Sequence, residues 1–199
     1  MQHIQNAFEN NDIDTLLTYL EDKTLPIEHV EVIYNRYRNN KTIVSQTAMN
    51  LSLRTSVHNR SLEYSETIVR LLVDIAKNPV DMGARWAVAK NPHTPTETLS
   101  MLAKDKINLV RALVAANPST PSNILETLFN DEKIVRDGLS GNPNTPSRLL
   151  KILSKDNDKM VRMRLAENRT APKDIITLLL KDIDSNVVKA AEINLKERT

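Results

Sequence analysis

The chain of 199 residues has no cysteine, only 3 glycines and only 4% aromatic residues. The missing cysteines exclude disulfide bonds, thiol catalysis and cysteine-based zinc sites. The 4 histidines stand at no spacing typical of a metal site. We also find neither a glycine-rich phosphate loop nor the local signature of a Ser/His/Asp catalytic set. The sequence therefore predicts no metal, no cofactor and no catalytic residue.

Long apolar runs are missing too. No stretch approaches the ~20 apolar residues that a membrane span needs, and the amino terminus lacks the basic and apolar regions of a signal peptide. The 27 basic and 25 acidic side chains nearly cancel to a net charge of +2. This balance does not by itself indicate a polyanionic partner. We expect a soluble cytoplasmic protein with no membrane partner.

What the sequence does contain is a short repeated unit. A marker asparagine recurs every 25 or 26 residues, at Asn91, Asn117, Asn142 and Asn168. A period between about 20 and 50 residues is typical of solenoid proteins. A proline follows each marker by four residues and is expected to begin a helix, with a preceding threonine as N-cap in three copies. Apolar residues at helical spacing then predict one buried stripe, formed by Leu99, Leu102, Leu125, Leu128, Leu150, Leu153, Ile176 and Leu179.

A second helix is predicted in every unit. It follows an aspartate that can act as its N-cap, and it carries a Val-Arg or Val-Lys pair. It is expected to end at the next marker asparagine, because the proline that usually follows disfavours helical geometry in the residue before it. The aspartates are Asp105, Asp131, Asp156 and Asp182.

These motifs, N-P-x-T-P-x-x-x-L-x-x-L and D-x-x-x-x-V-R-x-x-V-A-x-N-P, resemble the leucine-rich repeat variant (LRV) family, whose short repeats are related to HEAT repeats. The resemblance covers roughly residues 62–199. It implies an all-α fold, a right-handed solenoid of about five to six two-helix repeats in which α- and 3₁₀-type helices alternate. The family has no common activity, and the cysteine cluster of its iron–sulfur members is missing from this chain.

The pattern predicts one domain with three parts. Residues 1–24 are expected to form a single capping helix with a polar outer face, which solenoid ends need to stay soluble. Residues 25–63 contain a degenerate first repeat and an irregular connection. Residues 64–199 hold the LRV/HEAT-like array.

A column of arginines recurs in the second helices. On a helical wheel each arginine falls within the apolar face of its own second helix, so its guanidinium needs a partner. We predict a structural ladder between repeats, formed with the recurring aspartates; a phosphate-binding column is the alternative. The predicted ladder consists of Arg85, Arg111, Arg136, Arg162, Asp105, Asp131 and Asp156, and Lys189 is placed at the end of the arginine column.

The residue after each column arginine varies, although the positions around it are nearly constant. Variation on a repeated scaffold is typical of a binding surface. We therefore predict that Trp86, Ala112, Asp137 and Met163 line one partly exposed partner-binding surface. In the alternative interpretation, Trp86 only fills a gap where the repeat pattern is interrupted.

The stretch from Val32 to Leu62 has no acidic residue. Basic side chains with interleaved tyrosines suit nucleic-acid strands, because rings stack on bases and cations neutralise phosphates. A solvated basic face is the alternative. The candidate nucleic-acid-binding residues are Tyr34, Arg36, Arg38, Lys41, Arg54 and Arg60.

The preferred hypothesis is a non-catalytic solenoid scaffold that binds an unknown protein partner. The alternative is a HEAT-like protein that binds nucleic-acid backbones through the basic stretch and the arginine column. A remote general similarity to HEAT-like DNA glycosylases would assign catalytic parts to Asp81 and to Trp86 or Asp137.

Overall fold

The computed structural model describes residues 2–55 and 64–198, and within them every regular element is an α-helix. Contacts between Cα atoms divide the chain into two compact units, Met1–Thr98 and Leu99–Thr199, where the sequence led us to expect one domain. Helices α1–α6 belong to the first unit: Gln2–Glu9, Ile13–Glu21, Ile27–Arg36, Lys41–Arg54, Glu66–Lys77 and Met82–Lys90. The unit boundary falls within α7, Thr96–Leu102. Helices α8–α14 belong to the second unit: Asn108–Ala116, Ser122–Thr127, Lys133–Gly141, Ser147–Leu153, Lys159–Glu167, Lys173–Leu179 and Ser185–Lys196.

The amino-terminal segment is two helices, and the predicted single capping helix is wrong. The chain turns between α1 and α2, where Asn11 has a φ of 48°. Asparagine tolerates this left-handed region better than most residues. The side chain of Asp12 then caps α2 by accepting from the backbone N–H of Thr15 at 3.0 Å. A left-handed residue followed by an N-cap ends one helix and starts another.

In the first unit, α2 packs on α4 and α4 packs on α6, while α3 packs on α5. Completely buried side chains such as Leu20, Ile33 and Leu51 fill the space between these rows. Asn50 joins two helices of the first row, because its Nδ2 donates to the carbonyl of Leu20 at 2.8 Å.

The second unit repeats one arrangement along the chain. Helices α8, α10, α12 and α14 pack on one another in that order, and α11 and α13 each contact the helices on both sides of them in sequence. The predicted apolar stripe of the first helices is buried throughout, with no member more than 3% exposed. Burial of this stripe holds α11 and α13 against the longer helices beside them.

Thr120 and Thr145, which precede Pro121 and Pro146, do not cap the following helices, contrary to the sequence-based expectation. The N-caps of α9 and α11 are the prolines themselves, without a side-chain bond. Instead, Thr120 Oγ1 donates to the carbonyl of Val114 at 2.6 Å, and Thr145 Oγ1 donates to the carbonyl of Leu139 at 2.7 Å. The threonine is therefore a second donor to a carbonyl in the last turn of the preceding helix, which also accepts from the N–H of the marker asparagine.

The resemblance implied alternating α- and 3₁₀-type helices, and this is wrong for the described residues, whose helices are all α. Tighter 3₁₀-type bonds occur singly at helix ends and in turns, as between the N–H of Asp131 and the carbonyl of Leu128 at 3.2 Å. Such bonds commonly close the last turn of short helices. None of the described helices is both long and apolar enough to cross a membrane.

Candidate functional site

The arginines of the second unit connect consecutive repeats. Arg111 Nε donates to Oδ2 of Asp131 at 2.6 Å, and Nη2 donates to Oδ1 at 2.8 Å. Its Nη1 donates to the backbone carbonyl of Asp105 at 2.7 Å. One guanidinium therefore holds a turn of its own repeat and the carboxylate of the next.

The same arrangement occurs twice more. Arg136 donates to both carboxylate oxygens of Asp156, at 2.6 and 3.2 Å. Arg162 donates to both oxygens of Asp182, at 2.6 and 3.0 Å. We call the three pairs from Arg111–Asp131 to Arg162–Asp182 the Arg–Asp ladder. Asp182 belongs to it, although sequence reasoning treated this residue only as a helix boundary.

The sequence led us to expect that the ladder aspartates cap the second helices, and they do not. Asp156 Oδ1 accepts from the N–H of Asp158 at 2.9 Å, and Asp182 Oδ1 accepts from the N–H of Asp184 at 2.9 Å. Asp158 and Asp184 are themselves the N-caps of α12 and α14. The ladder aspartates shape the turn before the helix and keep their remaining lone pairs for an arginine.

The electrostatics of the ladder favour ionised carboxylates. Hydrogen bonds from Arg111 and Arg162 lower the pKa of Asp131 and Asp182 respectively, outweighing burial, which raises it. For Asp156, burial is the strongest single influence and raises the pKa, but the bonds from Arg136 and the backbone together lower it. The three guanidiniums already hold a carboxylate through the two-donor edge that would bind phosphate. This geometry favours the structural interpretation of the column over the phosphate-binding one.

Two predicted column positions, Arg85 and Lys189, are not among the three pairs described above. Arg85 is half-buried on α6 of the first unit. Lys189 was assigned to the wrong register. Val187 and Asn194 are buried 26 residues after Val161 and Asn168, so Val188, not Lys189, takes the place that the column arginine occupies in the preceding repeat.

The marker asparagines form a second ladder that sequence reasoning missed, since it assigned them only as helix ends. Asn142 is 1% exposed; its Nδ2 donates to the carbonyls of Ala115 and Asn117, at 2.7 and 2.8 Å. Its Oδ1 accepts from the N–H of Asn144 at 2.8 Å. The sequence did carry a signal for this ladder. Asparagine recurs at every marker position, although other residues can also end a helix.

Trp86, the first residue of the predicted partner-binding surface, is exposed. It lies on α6 of the first unit, and 46% of its surface is accessible. Met82, one turn earlier on the same helix face, is 52% exposed. This part of α6 presents an indole and a thioether to solvent.

Ala112 is buried, which corrects its assignment to an exposed surface. The reason is the close approach of α10 to α8. A Cβ added at Gly138 would lie only 2.8 Å from the carbonyl oxygen of Ala112 and 3.0 Å from Cβ of Ala115. The glycine allows this contact, and the contact covers Ala112.

Asp137 and Met163 occupy different environments in the second unit. Asp137 is half-buried and pairs with Arg164 across a 3.5 Å distance from Oδ2 to Nε. Met163 lines a pocket of about 310 Å³ between α12 and α14, together with Ala190 and Ile193. Only the methionine therefore offers an apolar group at a concave surface.

The basic stretch of the first unit needs two corrections. Tyr34 is completely buried and accepts from Nδ2 of Asn78 at 3.3 Å. Burial raises its pKa to about 12, and its ring cannot stack on a base. Arg54 is 6% exposed and donates to Oδ1 of Asn50 at 2.6 Å and to the carbonyl of Leu25. Both residues are structural because the helices around them bury these side chains.

The other basic candidates are at the surface. Arg36 lies over the ring of Phe8 at 4.9 Å from the centroid, and Arg38 pairs with Asp74 at 3.0 Å. Lys41 is exposed at the start of α4. Arg60 lies outside the described residues.

Asp81 does not resemble a catalytic acid in an open cleft. It is 7% exposed and caps α6 by accepting from the N–H of Ala84 at 3.0 Å. In the part of the chain that the structure describes, no cluster of three or more histidine, cysteine, aspartate or glutamate side chains is arranged to hold a metal ion.

Comparisons with family models and with curated proteins find no match for this chain.

Proposed function

We propose that this protein is a non-catalytic scaffold that binds another protein through exposed apolar side chains on its second helices. In this proposal the chain is a right-handed α-solenoid of five to six repeats, as the LRV resemblance implies. The observation that carries the proposal is the exposure of Trp86 beside Met82 on α6.

A tryptophan that is 46% exposed has a large apolar surface in water. Leaving it there is unfavourable, and covering it with a partner recovers about 25 cal/mol for each Å² buried. Tryptophan is also strongly enriched among residues that dominate binding energy at interfaces. The neighbouring Met82 adds an adaptable apolar contact, since methionine fits many partner shapes.

The second unit offers a comparable feature. Met163 and Ile193 line the pocket between α12 and α14, and Ile193 is 48% exposed. The ion pair of Arg169 and Glu197 borders the same pocket. An apolar surface with a polar rim is the usual anatomy of an interface.

The test is affinity capture from lysate with the intact chain, followed by mass spectrometry, comparing wild type with Trp86→Ala. We expect the variant to recover the main partner with about 30-fold lower affinity, equivalent to about 2 kcal/mol. Val32→Ala is the matched control, because Val32 is also 46% exposed but lies on α3. Its capture should equal that of wild type.

Two results would reject the proposal. One is equal capture by wild type and Trp86→Ala, with both folded by circular dichroism. The other is capture of nucleic acid whose binding weakens steeply as salt rises, since counterion release dominates binding to phosphate backbones. That second result would favour the nucleic-acid alternative.

A further inference from the structure

Two neighbouring grooves lie on the second unit, where the first helices of the repeats end. The larger, of about 700 Å³, is lined by the carboxyl-terminal half of α11 and by the turn after α9. The smaller, of about 260 Å³, is lined by the turn after α11 and by the end of α13. Lys155 and Asp156 line both, so the grooves share one wall.

The carboxylates in these walls are already neutralised. They are Asp131, Asp156 and Asp182, and each accepts a pair of hydrogen bonds from an arginine of the Arg–Asp ladder. Their side chains are between 6% and 17% exposed. Little negative charge therefore faces solvent along the grooves.

Three lysines remain along the same walls. Lys151 and Lys155 border the larger groove, and Lys155 and Lys181 border the smaller. All three are exposed, and within the described ranges none of their ammonium groups is in an ion pair. Lys133 and Lys159, by contrast, pair with aspartates at 2.9 and 3.1 Å. The grooves therefore carry a local excess of positive charge, although the whole chain is almost neutral.

Exposed apolar side chains accompany the lysines. Ile152 is 55% exposed, Leu178 is 47% exposed and Ile183 is 97% exposed. Ile152 and Leu178 are equivalent positions of consecutive repeats, 26 residues apart. The second helices α10, α12 and α14 pack on one another in order, and packed helices lie about 8–10 Å apart. Consecutive repeats are therefore separated by a distance that about three residues of extended chain would span.

We propose that these two grooves bind an acidic segment of a partner protein in an extended conformation. Its carboxylates face Lys151, Lys155 and Lys181, and an apolar side chain about every third residue covers Ile152 and Leu178. The excess of positive charge favours an acidic segment, and the spacing of the repeats favours an apolar side chain at about every third residue of that segment. This inference rests on the proposed scaffold function and specifies the partner class for a surface other than α6.

The probe is a fluorescent peptide of glutamates with a leucine at every third position, titrated with the intact chain and followed by anisotropy. The triple variant Lys151→Gln, Lys155→Gln, Lys181→Gln should bind it about tenfold more weakly, since each exposed charge contributes a fraction of a kcal/mol. The matched control is Lys23→Gln, Lys77→Gln, Lys90→Gln, which makes the same change in net charge at exposed positions of the first unit. This control should stay within about twofold of wild type.

Two further probes separate the apolar contribution to binding from the contribution of charge alone. A peptide with serine in place of leucine should bind more weakly than the leucine peptide, and Ile152→Ser with Leu178→Ser should abolish that difference. A single-stranded oligonucleotide of similar net charge should bind more weakly than the leucine peptide at 150 mM salt.

Failure has distinct forms. No binding of the leucine peptide, or equal weakening by both lysine triples, overturns the inference while leaving Trp86-dependent capture intact as support for the scaffold function. Tighter, lysine-dependent binding of the oligonucleotide would identify a phosphate-polymer site and would count against both proposals.

Discussion

Arg136 and Asp156 stand 20 residues apart in the chain, and yet Nε of the first lies 2.6 Å from Oδ2 of the second. Nη1 of Arg136 also donates to the carbonyl of Asp131 at 2.9 Å. One side chain thereby joins a turn of its own repeat to the turn of the next. The arginines and aspartates that recur in the second unit therefore connect its repeats to one another.

Removal of this connection should destabilise the second unit. Arg136→Ala leaves the carboxylate of Asp156, whose side chain is only 9% exposed, without its guanidinium. An unpaired, mostly buried carboxylate costs about 3 kcal/mol or more. Urea denaturation, combined with hydrogen exchange to locate the loss, would measure it.

Arg148→Ala is the control for that experiment. Arg148 pairs with Glu126 at 2.7 Å, but its side chain is 64% exposed, and exposed pairs contribute about 0–1 kcal/mol. Equal losses in the two variants would show that the ladder is no more important than a surface ion pair.

The stability of the second unit should decrease in acid. The pKa of Asp182 is lowered in the folded state from its ordinary value of 3.8, because Arg162 donates to it. The folded protein therefore binds fewer protons than the unfolded chain near this pH. The stabilisation is fully present well above pH 3.8 and is lost as the pH falls through the lower, folded-state pKa.

Thermal unfolding from pH 7 to pH 2 would test this dependence with Asp182→Asn as the comparison. The variant cannot ionise at this position. It should be less stable than wild type at pH 7 by about 1–3 kcal/mol, and the difference should shrink below pH ~4. If the stabilities of the two proteins changed in parallel with pH, the assignment of a lowered pKa to Asp182 would be wrong.

Gly138 should tolerate no side chain. A Cβ there would lie 2.8 Å from a backbone carbonyl oxygen of α8, which cannot move independently of its helix, so Gly138→Ala should cost about 1–3 kcal/mol. At Gly141 on the same helix, the nearest atom is the Cδ of Arg164 at 3.0 Å. That side chain is exposed and can move away, so Gly141→Ala should be neutral or slightly stabilising. Comparison of the two urea midpoints separates steric contact from helix propensity.

Much of the architecture could be predicted from local pattern. The helical period of leucines after each proline placed the buried stripe correctly, because packing against one neighbouring row requires one apolar face. The wheel position of Arg111 placed it inside the apolar face of the second helix, where a guanidinium needs a partner. Both inferences depend only on geometry within one helix.

The amino-terminal segment marks the limit of such reasoning. Its apolar face suggested one helix, but the conformation of Asn11 and the cap at Asp12 divide it into two. A periodic pattern can continue across a turn when both helices bury the same side of the chain. The hydrophobic period therefore does not report every helix boundary.

Exposure depends on the neighbouring repeat. Ala112 and Trp86 were predicted at equivalent positions, but Ala112 is covered where Gly138 lets α10 approach α8, and Trp86 is exposed. Tyr34 and Arg54, predicted at a basic surface, are buried by the helices around them. The repeated positions of the scaffold are readable in the sequence because each repeat must satisfy the same local packing. Which variable side chains reach solvent is decided only in the tertiary structure, because that depends on the size of a residue on a different helix.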